Sequence, residues 1–284
     1  MTNTRREFLA GLGAAAAAAA AGCKFPCLCG GRPRMALQLY SLHKVIWKEP
    51  ARVLAALKAG GFDGVEFYNY DYGGMSAKTL RKMCDDAGLK AMGTHLNGDV
   101  DLVGDGLKRT LDFAVEAGFE TLVTPHAKRD SADDYRRFGH DMGLAAEAAD
   151  AFGIKVGVHC TYHHFTTKYG DDTAWDMIYK EASPKLYQQV DTANACHTGY
   201  DVVGLLKKYP NRHFSIHAKE NVPTVDGVFG VPPTDGGKCV PWADVIAYLK
   251  TDPSLKWWVI EAEGRPDDVG PAVKCLEILR SWTA

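Results

Sequence analysis

Residues 132–159 read ADDYRRFGHDMGLAAEAADAFGIKVGVH, and this stretch decides the fold. A helix-length run from Ala132 to Phe152 is stopped by Gly153, a residue favoured just past a helix C-terminus. The short apolar run 154–159 that follows has strand length and closes on a polar residue, His159. The same pattern of helix, glycine stop, strand and polar tip recurs along the chain. Strands are expected at 35–41, 64–68, 89–95, 121–126, 154–159, 186–191, 213–219 and 257–261. Helices are expected at 51–59, 76–87, 107–117, 132–152, 174–181, 202–209, 242–249 and 271–281. Strand starts recur about every 25–45 residues, the spacing of a (β/α)8 TIM barrel of ~250 residues. The fold class is therefore α/β, with a single barrel domain over residues 32–284 and no linker within it. A doubly wound open sheet is the competing architecture, but no glycine-rich phosphate or dinucleotide loop follows the first strand.

Outside that domain, residues 1–31 read as a signal segment. Arg5-Arg6 precede Phe8-Leu9, an alanine- and glycine-rich run extends to Gly22, and small residues close it, as in an export signal. The paired arginines resemble a twin-arginine (Tat) signal, which implies periplasmic or cell-surface residence. Ala20-Ala21-Gly22-Cys23 resembles a weak lipobox, with a lipid anchor at Cys23 as its consequence. The apolar run is too bland for a permanent membrane span, which needs ~20 strongly apolar residues. Lys and Arg number 33 against 35 Asp and Glu, a net charge of −2, which opposes a generally basic nucleic-acid surface. Of eight cysteines, Cys84, Cys160, Cys196, Cys239 and Cys275 fall in the barrel with no CxxC pair. A structural zinc ribbon is excluded on that spacing, and mostly free, buried thiols are expected. Oligomeric state leaves no signature.

Catalytic residues of such a barrel come from the C-terminal ends of its strands, and alternate strand residues point inward. Alternation assigns inward tips to Gln38 and Tyr40, Glu66, His95, Thr124 and His126, His159, Asp191, His217 and Lys219, and Glu261. The intervening Leu39, Val65, Val156, Val158, Val190, Ile216 and Ile260 face the helices. Asp191, His217 and Glu261 come from consecutive strands about 4.8 Å apart, close enough to converge on one ion. Mixed nitrogen and oxygen donors suit Zn or Mn better than Ca. A fourth ligand is expected from strand five or the loop beyond it, where residues 159–165 read HCTYHHF.

The segments Leu39-Tyr40-Ser41, Gly64-Val65-Glu66-Phe67, Gly93-Thr94-His95, Asp191 and His217-Ala218-Lys219-Glu220 resemble the xylose isomerase-like TIM barrels. The closest resemblance is to those described as sugar phosphate isomerase/epimerase, across essentially the whole mature chain. That resemblance implies one divalent ion (Mn, Zn, Co or Mg) held by Glu, Asp, His and Glu from strands five to eight. Asp191, His217 and Glu261 match the last three, with Glu263 as the fallback for Glu261. At strand five the chain departs from the pattern: His164 or His159 stands where relatives carry Glu, with His164 preferred. The implied chemistry is proton abstraction next to a carbonyl of a sugar, assisted by the ion. Glu261, His159, Glu66 and His95 are the candidate bases, and Lys219 is the donor to the developing oxyanion. Gln38, Tyr40, Tyr68 and His126 are expected to bind substrate, with Phe67, Tyr70 and Trp47 as further ring-stacking candidates. Phe165 and Trp242 are expected to be structural.

Loss of the strand-five Glu makes elimination from a 3-keto-glycoside, a lyase or hydratase reaction, the alternative to isomerisation or epimerisation. Export opposes a phosphorylated substrate, and no basic phosphate cluster is evident. A non-catalytic sugar-binding module is the reading from another class, and endonuclease IV-like DNA repair is opposed by charge and export.

Overall fold

Alternating strands and glycine-stopped helices build the barrel in the computed structural model, which describes residues 33–68, 72–125, 127–234 and 239–284. The strands are β1 (Arg34–Gln38), β2 (Gly64–Phe67), β3 (Lys90–His95), β4 (Thr121–Thr124), β5 (Lys155–His159), β6 (Tyr187–Asp191), β7 (Ser215–Ala218) and β8 (Trp257–Ile260). The helices between and after them are α1 (Pro50–Ala59), α2 (Ala77–Ala87), α3 (Gly104–Ala117), α4 (Ala132–Asp150), α5 (Ala174–Tyr179), α6 (Val202–Lys208), α7 (Trp242–Leu249) and α8 (Gly270–Thr283). Each strand pairs in parallel with the strands before and after it in sequence, and β8 pairs with β1, so the sheet closes. A small antiparallel hairpin, Lys168–Tyr169 with Asp172–Thr173, decorates the connection from β5 to α5.

Local chemistry sets the element ends. Ser76 accepts the Thr79 N–H at the start of α2, and Gly88 closes that helix in the left-handed conformation (φ 71°). An N-cap of this kind contributes ~1 kcal/mol. The residues assigned to the helix side, Leu39, Val65, Val156, Val158, Val190, Ile216 and Ile260, all lie in the main hydrophobic core between sheet and helices. Inside the barrel a second, smaller cluster of Ala36, Met92, Trp257 and Val259 forms an apolar floor. Two glycines make room for large inward rings at this depth. A Cβ on Gly64 would stand 2.8 Å from the Trp257 ring, and one on Gly157 would stand 2.6 Å from the Tyr187 ring. Above the floor the lumen turns polar, and this layering confines the chemistry to one end.

Several expectations need correction. The first strand ends at Gln38, because the Gln38 side chain accepts the Tyr40 N–H and starts a tight 3-10 turn, Leu39–Leu42. Tyr40 is thereby carried out of the sheet onto the rim. Thr124 does not face the lumen; its side chain packs beside Gly98, and Pro125 lines the mouth in its place. Phe67 is fully buried against Phe119 and Trp47 on the helix side, so it does not meet a ligand. Cys196 and Cys239 form a disulfide with Cα atoms 5.8 Å apart, whereas Cys84, Cys160 and Cys275 are free and buried. Phe165 and Trp242 are buried in the core. The signal segment with Cys23, and also Tyr70 and His126, lie outside the described residues. No helix among the described residues is long and apolar enough to cross a membrane.

Candidate active site

Four side chains from β5 to β8 and their tips meet at the C-terminal end of the barrel. His159, Asp191, His217 and Glu261 are buried, and each offers one ligand atom within 4.8 Å of the others'. The backbone places them: His159 and Asp191 are the last residues of β5 and β6, His217 is the third residue of β7, and Glu261 follows β8. Asp191 also caps the short helix Thr192–Cys196, its Oδ1 accepting the Asn194 N–H at 2.8 Å. Its second oxygen, Oδ2, is buried with no hydrogen-bond partner, and so are both ring nitrogens of His159. The 3.6 Å between His159 Nε2 and Asp191 Oδ2 is too long for a hydrogen bond. Burial pushes the His159 imidazole down to about 4, with Asp191 only partly opposing it, so the ring is neutral and its lone pair available.

Leaving three buried polar atoms unpaired in one spot is costly, about 1–3 kcal/mol for each. A cation between them would satisfy Asp191 Oδ2 and one His159 nitrogen, and two imidazoles with two carboxylates suit Zn, Mn or Co. The residues present therefore fit a divalent ion. His164 is not among them. Its ring is buried on the short helix His163–Thr166, accepts the Thr161 N–H at Nδ1 and packs against Trp175. The strand-five member of the cluster is His159.

Below the cluster lies a buried network centred on Glu66. Its Oε2 accepts from Gln38 Nε2 and His217 Nε2, each at 2.7 Å, and its Oε1 accepts from Gln189 Nε2 at 2.8 Å. His95 Nε2 stands 3.3 Å from Oε2. Burial pushes the Glu66 carboxyl up, but His95 and His217 outweigh it and hold the group well below the usual carboxylate range. His217 is the counterpart: burial opposes its charge, yet Glu66 and Glu261 raise it to about 10. Its Nδ1 lies 3.0 Å from Glu261 Oε2. The His95 and His217 rings stack nearly parallel, 5.3 Å apart at 8°.

Lys219 reaches across the rim to Glu263 Oε1 at 2.5 Å and Glu261 Oε1 at 3.3 Å. Burial works against its charge, but Glu261, Asp191 and Glu263 hold it well above the ordinary lysine value. Glu263 thus pairs with Lys219 and is not in the metal-type cluster.

The mouth is a cavity of about 610 Å³ lined by Gln38, Tyr40, Tyr68, His95, His159 and Asp191 on one arc and by Asn194, Lys219, Glu261 and Glu263 on the other. Tyr40 stacks on His43 and meets Tyr68 edge-on at 5.3 Å, forming an aromatic rim beside the cluster. Among the expected residues, Glu66 and His217 are wholly buried, His95, His159 and Glu261 open to the mouth, and Trp47 stands behind Tyr68. Gln189 is not a strand tip and so falls outside the set that the sequence assigns to the mouth. It lies one inward step below Asp191, the position that the same alternation marks. Thr161 and Asn194 also line the mouth but lie beyond the strands, in a loop and in the short helix Thr192–Cys196, where strand alternation does not reach.

The fold is similar to that of a sugar phosphate isomerase/epimerase from Parabacteroides distasonis. The TM-score is 0.73 at 21% identity, over 90% of this chain and 96% of that one. A D-allulose 3-epimerase from a Methylomonas species is similar with TM-score 0.64 at 14% identity, over 89% and 99% of the two chains. An AP endonuclease, family 2, from Brucella melitensis reaches 0.63 at 18%, over 88% and 98%. Likeness at these identities is one of fold. No curated protein matches the chain. The sequence pattern of the family described as Xylose isomerase-like TIM barrel, in contrast, matches residues 54–282. The chain belongs to the xylose isomerase-like TIM barrel family.

Proposed function

We propose that this chain is a divalent-metal-dependent enzyme of the sugar isomerase/epimerase type, which removes a proton next to a carbonyl of a small carbohydrate. The observation that carries the reading is the buried cluster of His159, Asp191, His217 and Glu261, with its unpartnered atoms, opening into the mouth cavity. An ion held by these four residues would supply electrophilic stabilisation of negative charge on a substrate oxygen. The chain's own residues do the rest. Lys219, kept cationic by its carboxylate neighbours, donates towards the developing oxyanion. Tyr40 and Tyr68 offer ring faces to the sugar, and Glu66, itself held by Gln38, holds His217 from below.

Charge at the mouth supports a neutral sugar. Among the described lining residues Lys219 is the one permanent cation, and it is already engaged by Glu261 and Glu263. A phosphate entering there meets the carboxylates of Asp191, Glu261 and Glu263 and no unpaired lysine or arginine among the described lining residues. The N-terminal Arg5-Arg6 segment supports export by the Tat route to the periplasm or cell surface, where glycosides are at hand. Cys23 is the candidate lipid-anchor position.

Elimination from a 3-keto-glycoside is a second reading, favoured by one observation. The strand-five member of the cluster is His159, so no carboxylate from that strand is available as a second base for two-base isomerisation.

Elemental analysis of the mature protein beside Asp191→Ala tests the proposal. Near one equivalent of Mn, Zn or Co, lost in the variant, is expected. Incubation with ketohexoses and 3-keto-glucosides in heavy water should then exchange the carbon-bound proton next to the carbonyl. No stoichiometric metal after divalent ions are added back would sink the mechanism and leave a sugar-binding module.

A further inference from the structure

We infer that Gln189, backed by Glu66, is a positioning residue that sets the tautomer of His95 and leaves His95 Nδ1 as the proton acceptor at the barrel mouth. The inference rests on the proton-abstraction reading above and names the group that receives the proton.

Glu66 accepts at both oxygens, from Gln189 at Oε1 and from Gln38 and His217 at Oε2. Gln189 Nε2 stands 2.8 Å from Glu66 Oε1 and 2.9 Å from Ser215 Oγ. Turning the amide over would set its oxygen against that carboxylate, so the orientation is fixed and both amide N–H groups are used. What remains is Gln189 Oε1, a pure acceptor, 2.7 Å from His95 Nε2. Two acceptors cannot share that contact, so Nε2 carries the hydrogen, and Glu66 Oε2 at 3.3 Å favours the same assignment. A neutral imidazole has one N–H, so the lone pair of His95 is on Nδ1. No described residue hydrogen-bonds to Nδ1, and the side chain lines the mouth cavity at 11% exposure.

The other candidate bases are already committed. Glu66 is fully buried with both oxygens engaged. Glu261 and His159 belong to the ligand cluster, and Glu263 is bound to Lys219. In the step assigned to His95, the carbon-bound proton moves to Nδ1 and its bonding electron pair stays on the substrate as the enediolate. The resulting imidazolium keeps its Nε2–H on Gln189 and returns the Nδ1 proton when the product forms.

NMR of protein carrying isotope-labelled histidine at mildly alkaline pH reads the tautomer directly. The His95 signal is identified by its loss in His95→Gln. Wild-type protein should show a protonated Nε2 and an acceptor-type Nδ1. Gln189→Met should move His95 towards a mixture of tautomers, since only the longer contact to Glu66 remains. Protonated Nδ1 in the wild type overturns the inference without any variant having to fold; an unchanged His95 in folded Gln189→Met overturns it as well. In the exchange assay His95→Gln should lose about 10²–10⁴-fold, and Gln189→Met less, chiefly in kcat. Undiminished exchange in His95→Gln removes His95 as acceptor while the proposed function stands. The expected tautomer with no exchange on any sugar supports the positioning role and sinks the function instead.

Discussion

Replacing Glu66 by Gln should cost the fold more than any surface charge change, and the structure says how much. The carboxylate accepts three hydrogen bonds at 2.7–2.8 Å. A glutamine amide in its place has one accepting end, so one orientation sets its N–H groups against Gln189 and the other against Gln38 and His217. Either way at least one buried donor is stranded, about 1–3 kcal/mol. His217 also loses a charge partner inside the barrel, and breaking a buried pair from one side costs roughly 3–5 kcal/mol. The two penalties overlap, because His217 can shed its proton, so a total near the second figure is expected. For a chain of this size that lowers Tm by roughly 6–20 °C. Thermal unfolding followed by circular dichroism in the presence of a chelator at neutral pH measures it. The pH dependence has a definite sign. The folded Glu66 carboxyl is held below its ordinary value, so its stabilisation is full above the unfolded pKa of ~4.3 and is lost as pH falls towards the folded one. The wild-type advantage should therefore shrink below about pH 4. A Tm within about 2 °C of wild type at neutral pH would refute the account of Glu66 as an ionised hub.

The two strand-five histidines separate in one titration: His159→Ala should weaken divalent-metal affinity more than 10–100-fold, the usual loss for a residue merely supporting a ligand, while His164→Ala leaves it unchanged. Calorimetric metal binding checks this, and equal losses would return His164 to the ligand set. Away from the site, Asp252 accepts from His213 at 2.7 Å and from the Ser254 hydroxyl at 2.6 Å. Burial raises its carboxyl, but these partners lower it to about 2, so Asp252→Asn should cost ~2 kcal/mol at neutral pH. That difference is present above pH ~4 and gone by about pH 2, as denaturant unfolding across pH would show. Replacing Cys196 by Ser opens a loop of 43 residues, worth ~4 kcal/mol on chain-entropy grounds; unfolding with and without reductant should differ in wild type and coincide in the variant.

Much of the fold was legible because strand and helix periodicity survive in a single chain: the helix stops at Gly88, Gly118 and Gly153 and the polar tips at Glu66, His159 and Asp191 fall where alternation puts them. What was not legible depends on three-dimensional events that leave no period. Tyr40 left the strand because a side chain captured its N–H. His164 could be told from His159 only once the short helix after β5 had turned its ring towards Trp175. Gln189 was readable in principle, yet it becomes meaningful only beside Glu66, 123 positions away. The Cys196–Cys239 pair joins segments whose proximity is set by the whole barrel, and no spacing rule announces it.

That disulfide has a practical consequence for anyone handling the protein. It staples the short helix that Asp191 begins, which carries the mouth residue Asn194, to the loop preceding α7 by one covalent tie. Bacterial cytoplasm keeps thiols reduced, whereas the periplasm oxidises them. Material from the two compartments would differ by two hydrogens at this tie, one with the helix after Asp191 free of the loop and one with it held. Activity screens run on the first would be assaying a chain without the tie that the second carries.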